Sequence, residues 1–471
     1  MKISFLGAAR TVTGSLHVIE VGGRRIVLDC GLFQGRREDA WKRNSDLSPL
    51  ASGADAVILS HAHMDHSGNL PTLVKRGFKG NVFATSATIE LAKHLLKDSA
   101  HIQQQDAEFM NRETQKRRQR DPFAPPRKPM PPLYDDKDVD ELARRFRVAE
   151  YRKPFEPVPG VRVTFYDAGH ILGSAVTLLD LEEKGRKLTV GFTGDLGRSG
   201  QPIIRDPVRP PWPMDYLLTE STYGDRVHEA IPALKRKLRD VLKRAFDRGG
   251  RVLIPAFAVG RTQNVVYCLN QLFREGELPK IPIFVDSPLS VNATDAYSKH
   301  PECFDEETLR FMQDSGDPFG FKLLTYVSSV DESKALNDRR GPCVIIASSG
   351  MAEAGRILHH LKHGVARPEN IVLIVGYQAE NTLGRRLLEG APTVKIYGEE
   401  IPVRCEVTKI NGLSAHADRE EITSYVKNID GLRGCFVVHG EEKAALSLAA
   451  RLTELQVEGV HVPTAGESVE L

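Results

Sequence analysis

Residues 60–68 read SHAHMDHSG and place His61, His63, Asp65 and His66 within six positions. Only 15 of the 471 residues are histidine, so this crowding calls for a chemical reason. Imidazole nitrogen and carboxylate oxygen, without thiolate, form a donor set for Zn²⁺ or a similar divalent ion. His61 and His63 are two apart, so on an extended or loop backbone they can aim the same way. Asp65 and His66 come next, where Ser67-Gly68 would open a helix. One tight turn can therefore aim two ligands at one ion and two at a neighbour. A lone histidine is usually a core residue, but four ligand-type groups at this spacing are poorly explained as core.

One segment cannot complete two coordination shells. Isolated His and Asp residues at strand ends beside glycine are the natural complement. They are His170 in YDAGHILGS, Asp195 in GFTGDLGR, His416 in GLSAHAD, His439 in FVVHGE and Asp29 in LDCG. An aspartate between two cations can bridge them, which suits Asp195. Taken singly, each reads as a turn residue or a capped strand end. Taken together, in this order, they form a pattern.

The elements that position these residues are legible in outline. KISFLGAA, LHVIEVGG, RRIVLDCG and DAVILSHA have strand length and composition, and Gly22-Gly23 signals a hairpin. The histidine cluster thus sits on the loop leaving a buried strand. A helix is expected near Ser86 to Met110. The stretch 111–129, NRETQKRRQRDPFAPPRKP, is basic, and its prolines end any helix near Arg120. It reads as a solvated helix end plus loop, or as a phosphate-contacting arm. Strands follow in VRVTFYDAGH, AVTLLDLEE, KLTVGFTGD and MDYLLTES. After about Tyr223, strands alternate with helical segments, which suggests βαβ units and a parallel sheet. From about Val403 the β texture returns. The first texture is therefore interrupted by a second domain and then resumed.

Bulk properties limit the function classes. At 471 residues, two domains or one elaborated domain is the expectation. Hydrophobic content of 41% and charged content of 27% are those of an ordinary globular protein. A net charge of +2 means that any nucleic-acid contact must use a local patch. The six cysteines are scattered singly, without a CxxC pair, as in a reducing compartment. The N-terminus has no signal-peptide core, and no apolar run approaches the ~18–20 residues of a membrane span. The expected location is cytoplasmic, with no membrane contact.

HAHMDH resembles the HxHxDH signature of the metallo-β-lactamase fold. LDCG, the GH at 169–170 and TGD at 193–195 resemble its other motifs, in order. Glu220 in TEST, His416 in GLSAHAD and His439 in VVHG resemble the added motifs of the β-CASP branch, which processes nucleic acids. PAFAVGRTQ, VDSPL, ASSGM and GYQAENTLGR resemble further β-CASP segments. The resemblance spans essentially the whole chain. It is nearest to bacterial and archaeal relatives of the cleavage-and-polyadenylation endonuclease. It implies an α/β fold: a metallo-β-lactamase αββα sandwich with an inserted β-CASP domain, a parallel sheet flanked by helices. The implied limits are 1–215 and 402–471 for the sandwich and 216–401 for the insert. The resemblance implies two Zn²⁺ ions. One would take His61, His63, His170 and Asp195, and the other Asp65, His66, Asp195 and His439. Asp29 would orient a ligand histidine.

Two cations about 3.5–4 Å apart acidify a bridging water and orient a phosphate for in-line attack. The leaving oxygen then needs a proton. His416 is the candidate acid, with Glu220 orienting it. The implied reaction is hydrolysis of single-stranded RNA, endonucleolytic rather than exonucleolytic, with a homodimer allowed by the resemblance. Ser348, Ser349 and Gly350, running from a strand into a helix start, are phosphate-site candidates, as are Arg261 and Arg385. An ordinary N-cap would explain the same serines. His359 and His363 are i, i+4 on the following helix, where a surface or cleft wall explains them. Competing readings are a 5′-to-3′ exoribonuclease or DNA nuclease of the same branch, a small-molecule ester or thioester hydrolase, and an inactive scaffold. The histidine at 439 favours RNA over DNA, by family analogy. The expectation is a chain without the preceding RNA-binding domain of some archaeal members and without the long C-terminal extension of the ribonuclease J branch.

Overall fold

The structure, a computed structural model, describes residues 1–35, 37–120, 131–211, 213–228, 233–379, 381–410 and 414–471. The chain divides into two compact units. The first comprises Met1–Gly197, Pro207–Val227 and His416–Leu471, and the second Arg198–Asp206 and His228–Ala415.

The first unit is a sandwich of two seven-stranded sheets. One sheet runs, in spatial order, Glu467–Glu470, Lys2–Phe5, His17–Val21, Arg24–Leu28, Ala56–Ile58, Asn81–Ala84 and Phe146–Val148. The other runs Val460–His461, Gly434–Val437, Tyr216–Thr219, Arg186–Phe192, Ala175–Glu183, Val161–Asp167 and Phe155–Val158. Alternating apolar residues of both sheets interdigitate. Ile3, Phe5, Ile26, Leu28 and Ile58 pack in one cluster with Val163, Phe165, Leu179, Val190, Phe192 and Phe436. The helices Arg419–Lys427 and Glu442–Glu454 cover the outer face of the second sheet through Ile422, Val426, Leu448 and Leu452. Gly22 and Gly23, both at positive φ, close the expected hairpin between His17–Val21 and Arg24–Leu28.

The second unit is built on a six-stranded, all-parallel sheet. Its order is Leu324–Val327, Ile283–Asp286, Cys343–Ala347, Arg251–Pro255, Ile371–Ile374 and Glu406–Lys409. Apolar β-branched residues such as Val344, Ile345 and Ile346 fill the central strands, as a sheet buried on both faces requires.

The unit limits differ from the sequence reading at both junctions. Tyr216–Thr219 belongs to the sandwich, because it pairs in parallel with Val190–Phe192 on one side and Gly434–Val437 on the other. At the other junction, Glu406–Lys409 extends the parallel sheet beside Ile371–Ile374, so the return to the sandwich comes at His416 rather than 402. The helix expected to Met110 runs Ser86–Arg120. Its last turns are made of strong helix formers without an apolar stripe, so periodicity underestimates it. Residues 121–129 of the basic stretch lie outside the described residues. No helix among the described residues is long and apolar enough to cross a membrane.

Candidate metal centre

Nearly all the candidate ligands leave the C-terminal ends of sandwich strands. Asp29 follows Arg24–Leu28, His61 and His63 follow Ala56–Ile58, and His170 follows Val161–Asp167. Asp195 follows Arg186–Phe192, Glu220 follows Tyr216–Thr219, and His439 follows Gly434–Val437. The turn after His63 is a single helical turn, Met64–Ser67, in which the amides of His66 and Ser67 donate to the His63 carbonyl. Glycines let these loops touch. A Cβ on Gly31 would lie 1.6 Å from the Asp65 carbonyl oxygen, and one on Gly197 would lie 1.7 Å from that of Gly169. The glycines of LDCG and GDLG are thus conditions for assembling the site.

The side chains form two main groups, and a third, Asp195, Glu220 and His416, overlaps the first at Asp195. His61, His63, His170 and Asp195 converge in one, and Asp65, His66 and His439 in the other. In the first, His63 Nδ1 lies 3.1 Å from His61 Nε2 and 3.0 Å from His170 Nε2. In the second, His66 Nε2 lies 2.9 Å from His439 Nε2, with Asp65 Oδ2 at 3.5 Å from the latter. The Asp195 carboxylate spans both. Its Oδ2 is 3.3 Å from His61 Nε2 and from His170 Nε2, and its Oδ1 is 3.0 Å from His66 Nε2.

Tautomers follow from the opposite nitrogens. His66 Nδ1 donates to Asp29 Oδ2 at 2.6 Å. His61 Nδ1 donates to Ser60 Oγ at 3.0 Å, and Ser60 Oγ donates to Asp29 Oδ2 at 2.8 Å. His439 Nδ1 faces Thr222 Oγ1 at 3.2 Å. These bonds direct the Nε2 atoms inward; at His66 burial opposes protonation, but Asp195 and Asp29 prevail and hold the ring well above the usual histidine range, so a cation there would displace its Nε2 proton. Burial, above all, holds His61 down to about 3, His63 down to about 4 and His170 well below the usual histidine range. These rings are therefore neutral, the state a metal ligand needs. Converging lone pairs in a buried pocket are costly without a cation between them. The donor set is nitrogen and oxygen only, so a divalent zinc-type ion fits it. Ser60 and Thr222 escaped the sequence reading. Ser60 stands directly before the motif, but hydroxyl roles of this kind depend on tertiary distances.

His416 and Glu220 stand beside this cluster. His416 Nδ1 donates to Glu220 Oε1 and Oε2 at 3.1 and 3.2 Å. Glu220 is fully buried, and its carboxylate also accepts from the amides of Leu196 and Thr222. The His416 ring lies 4.4 Å from that of His170, centroid to centroid, and its side chain is 20% exposed. Burial opposes its protonation, but the carboxylates of Glu220 and Asp195 prevail and raise it to about 9.

Residues 10–256 match the metallo-beta-lactamase superfamily, 262–387 the Beta-Casp domain, and 400–463 the Zn-dependent metallo-hydrolase RNA specificity domain. The chain belongs to the β-CASP branch of the metallo-β-lactamase superfamily. Ribonuclease TTHA0252 of Thermus thermophilus is 36% identical to this β-CASP protein over 470 residues, covering 100% of both chains. Transcription termination factor FttA of Methanocaldococcus jannaschii is 30% identical, over 98% of this chain and 70% of its own. Endoribonuclease YSH1 of Candida glabrata is 30% identical, over 93% of this chain and 54% of its own. A crystal structure of a protein of unknown function from Enterococcus faecalis V583 shares the fold, with a TM-score of 0.55 at 12% identity over 100% of this chain and 99% of that one. The β-CASP protein is therefore a metal-dependent hydrolase with a zinc-type, histidine-rich site and an RNA-specificity segment.

The phosphate candidates of the second unit are placed less simply. The helix after the serine loop begins at Arg356, with Gly355 as its cap, so Ser348, Ser349 and Gly350 are not at a helix N-terminus. Ser349 Oγ accepts from the amides of Glu353 and Ala354, and Ser348 Oγ pairs with Ser287 Oγ at 2.9 Å. Arg261 is buried at the first position of its helix. Arg385 pairs with Glu389 Oε1 at 2.6 Å. His359 contacts Tyr397, while His360 is buried and donates to Asp286 at 2.6 Å. His359 and His363 are in none of the metal-type groups among the described residues.

Proposed function

We propose that this protein is a zinc-dependent endoribonuclease that hydrolyses phosphodiester bonds of single-stranded RNA, in RNA processing or decay. One observation carries the reading: a partly open imidazole, bonded to a fully buried carboxylate, stands against clustered imidazole and carboxylate groups of metal-ligand type. His61, His63, His170 and Asp195 would hold one ion, and Asp65, His66, Asp195 and His439 a second. When bound, such ions supply positive charge to phosphoryl oxygens and acidify water near neutral pH.

The chain's own groups do the rest. Asp29 holds the proton of His66 at Nδ1 and, through Ser60, that of His61. Both rings are thereby kept in the ligating tautomer and orientation. Glu220 holds the Nδ1 proton of His416, which leaves the Nε2 proton for the leaving 3′-oxygen. Endonucleolytic action on RNA is supported by relatives named ribonuclease and endoribonuclease and by the RNA-specificity segment. The cysteines, all buried and unpaired, suit a reducing cytoplasm.

The test is cleavage of one single-stranded RNA, labelled at the 5′ end in one sample and at the 3′ end in another, with and without chelator. Internal fragments that vanish with chelator are expected. Stepwise shortening from the 5′ end would move the same site to exonuclease action. No cleavage by zinc-loaded protein, together with turnover of DNA or a small ester, would overturn RNA as the substrate.

A further inference from the structure

Two exposed aromatic rings stand at the C-terminal edge of the parallel sheet, the edge at which open α/β sheets take ligands. Phe257 follows the strand Arg251–Pro255 and Tyr377 the strand Ile371–Ile374, which are hydrogen-bonded neighbours. Phe257 is 39% exposed and Tyr377 45%. Both rings are carried on turns whose backbones are bonded to neighbouring segments. The Phe257 carbonyl accepts from the amide and hydroxyl of Thr262 at 3.2 and 2.8 Å. The amide of the buried Gln378 donates to the carbonyls of Gly350 and Tyr377 at 2.9 and 2.8 Å, which ties the Tyr377 turn to the serine loop.

Glycine makes the seat of the Phe257 ring. A Cβ on Gly350 would come within 2.7 Å of the ring, at Cδ2, so any larger residue there would push the ring away. A Cβ on Gly376 would sit 3.6 Å from Cε2. The ring therefore rests against bare backbone from both neighbouring loops, with much of it open to solvent. Seated on the backbone of Gly350 and Gly376, its open face suits a flat ring such as a nucleobase. Base–aromatic stacking is tolerant of sequence, because every base has a π-face.

We infer that Phe257, seated on Gly350 and Gly376, stacks nucleobases of the bound single strand, with Tyr377 at the exit of the neighbouring strand as a second exposed ring. This rests on the RNA reading above. In this unit, grip on the strand then comes from base stacking rather than from serine hydroxyls that are already bonded within their own loop.

The experiment is equilibrium binding, by fluorescence anisotropy, of two labelled 2′-O-methyl octamers to the zinc-loaded full chain. One octamer is oligouridylate and the other is abasic. Phe257→Ala is expected to weaken the uridylate by about 5- to 100-fold, the range of one lost stack, and Phe257→Trp to retain it. The abasic octamer should bind wild type and variants alike. Circular-dichroism spectra and zinc content should match the wild type in all of them, which reports correct folding. Wild-type affinity of Phe257→Ala for the uridylate, or an equal loss for both octamers, would overturn the stacking role while leaving the RNA reading intact. A wild-type protein that binds neither octamer would sink both.

Discussion

The loops that leave the sandwich strands and those that leave the parallel sheet resemble each other in sequence, being short, glycine-rich and polar. They differ in where their polar atoms find partners. Around His61 and His66, each outer nitrogen is held by Ser60 or Asp29, and the inner nitrogens face one another with nothing of the protein between them. Around Ser348 and Ser349, the hydroxyls are bonded to Ser287 and to amides of the same loop. The first arrangement directs buried nitrogens at one another; the second satisfies its hydroxyls within its own loops. Residue type alone therefore does not mark a binding group. What marks it is a buried polar atom whose local partners have been withheld.

That contrast can be broken at graded cost. The largest effect is expected at His416. His416→Ala should lower kcat on RNA by about 10²–10⁴-fold, the worth of a positioned acid, with zinc content unchanged. Loss of zinc together with activity would make His416 part of the ion-holding set instead. Asp29→Asn removes the acceptor that orients His66 and Ser60 and should weaken zinc binding by about 10–100-fold, read by competition with a chelator.

The next effect is a shift in pH dependence. The acid form of His416 is present below its pKa and lost above it, so kcat should fall as pH rises through that value. Glu220 and Asp195 hold the ring up to about 9. Bound cations push it down, so the alkaline limb should lie at or below about pH 9. Glu220→Gln removes a negative charge that favours the protonated ring, so the limb should move to lower pH in kcat–pH profiles of the two proteins. An unmoved limb would detach Glu220 from the proton.

The smallest effect belongs to the second unit. Ser349→Ala should cost about 1 kcal/mol of stability, the net worth of an intramolecular hydrogen bond, read from the thermal midpoint. Its KM for RNA should stay within about twofold, since the hydroxyl is already bonded inside its loop. A large rise in KM would erase the distinction between the two sets of loops.

How much of this was legible in the sequence follows the same division. His61, His63, Asp65 and His66 stand out because rare ligating side chains crowd a strand exit, where packing offers no other use for them. The later single residues became readable as a set through their order and glycine neighbours, and those glycines prove to be where loop backbones touch. Ser60 and Thr222 were not legible, because a hydroxyl acquires its role only from a ring folded against it. The phosphate reading of Ser348–Gly350 assumed that a helix follows at once, whereas an irregular turn carries the chain to Arg356. The strand Glu406–Lys409 has a texture that suits either sheet, and only its parallel pairing with Ile371–Ile374 decides.

The most direct measurement is zinc per chain, by inductively coupled plasma mass spectrometry after exhaustive dialysis, in the wild type and in Asp195→Ala. The Asp195 carboxylate reaches ligands of both groups. About two ions per chain in the wild type are expected if both groups are filled, falling below one in Asp195→Ala, with RNA cleavage lost in parallel. A wild-type protein that retains no zinc, or an Asp195→Ala protein that keeps the wild-type content, would contradict a bridged metal centre at these loops.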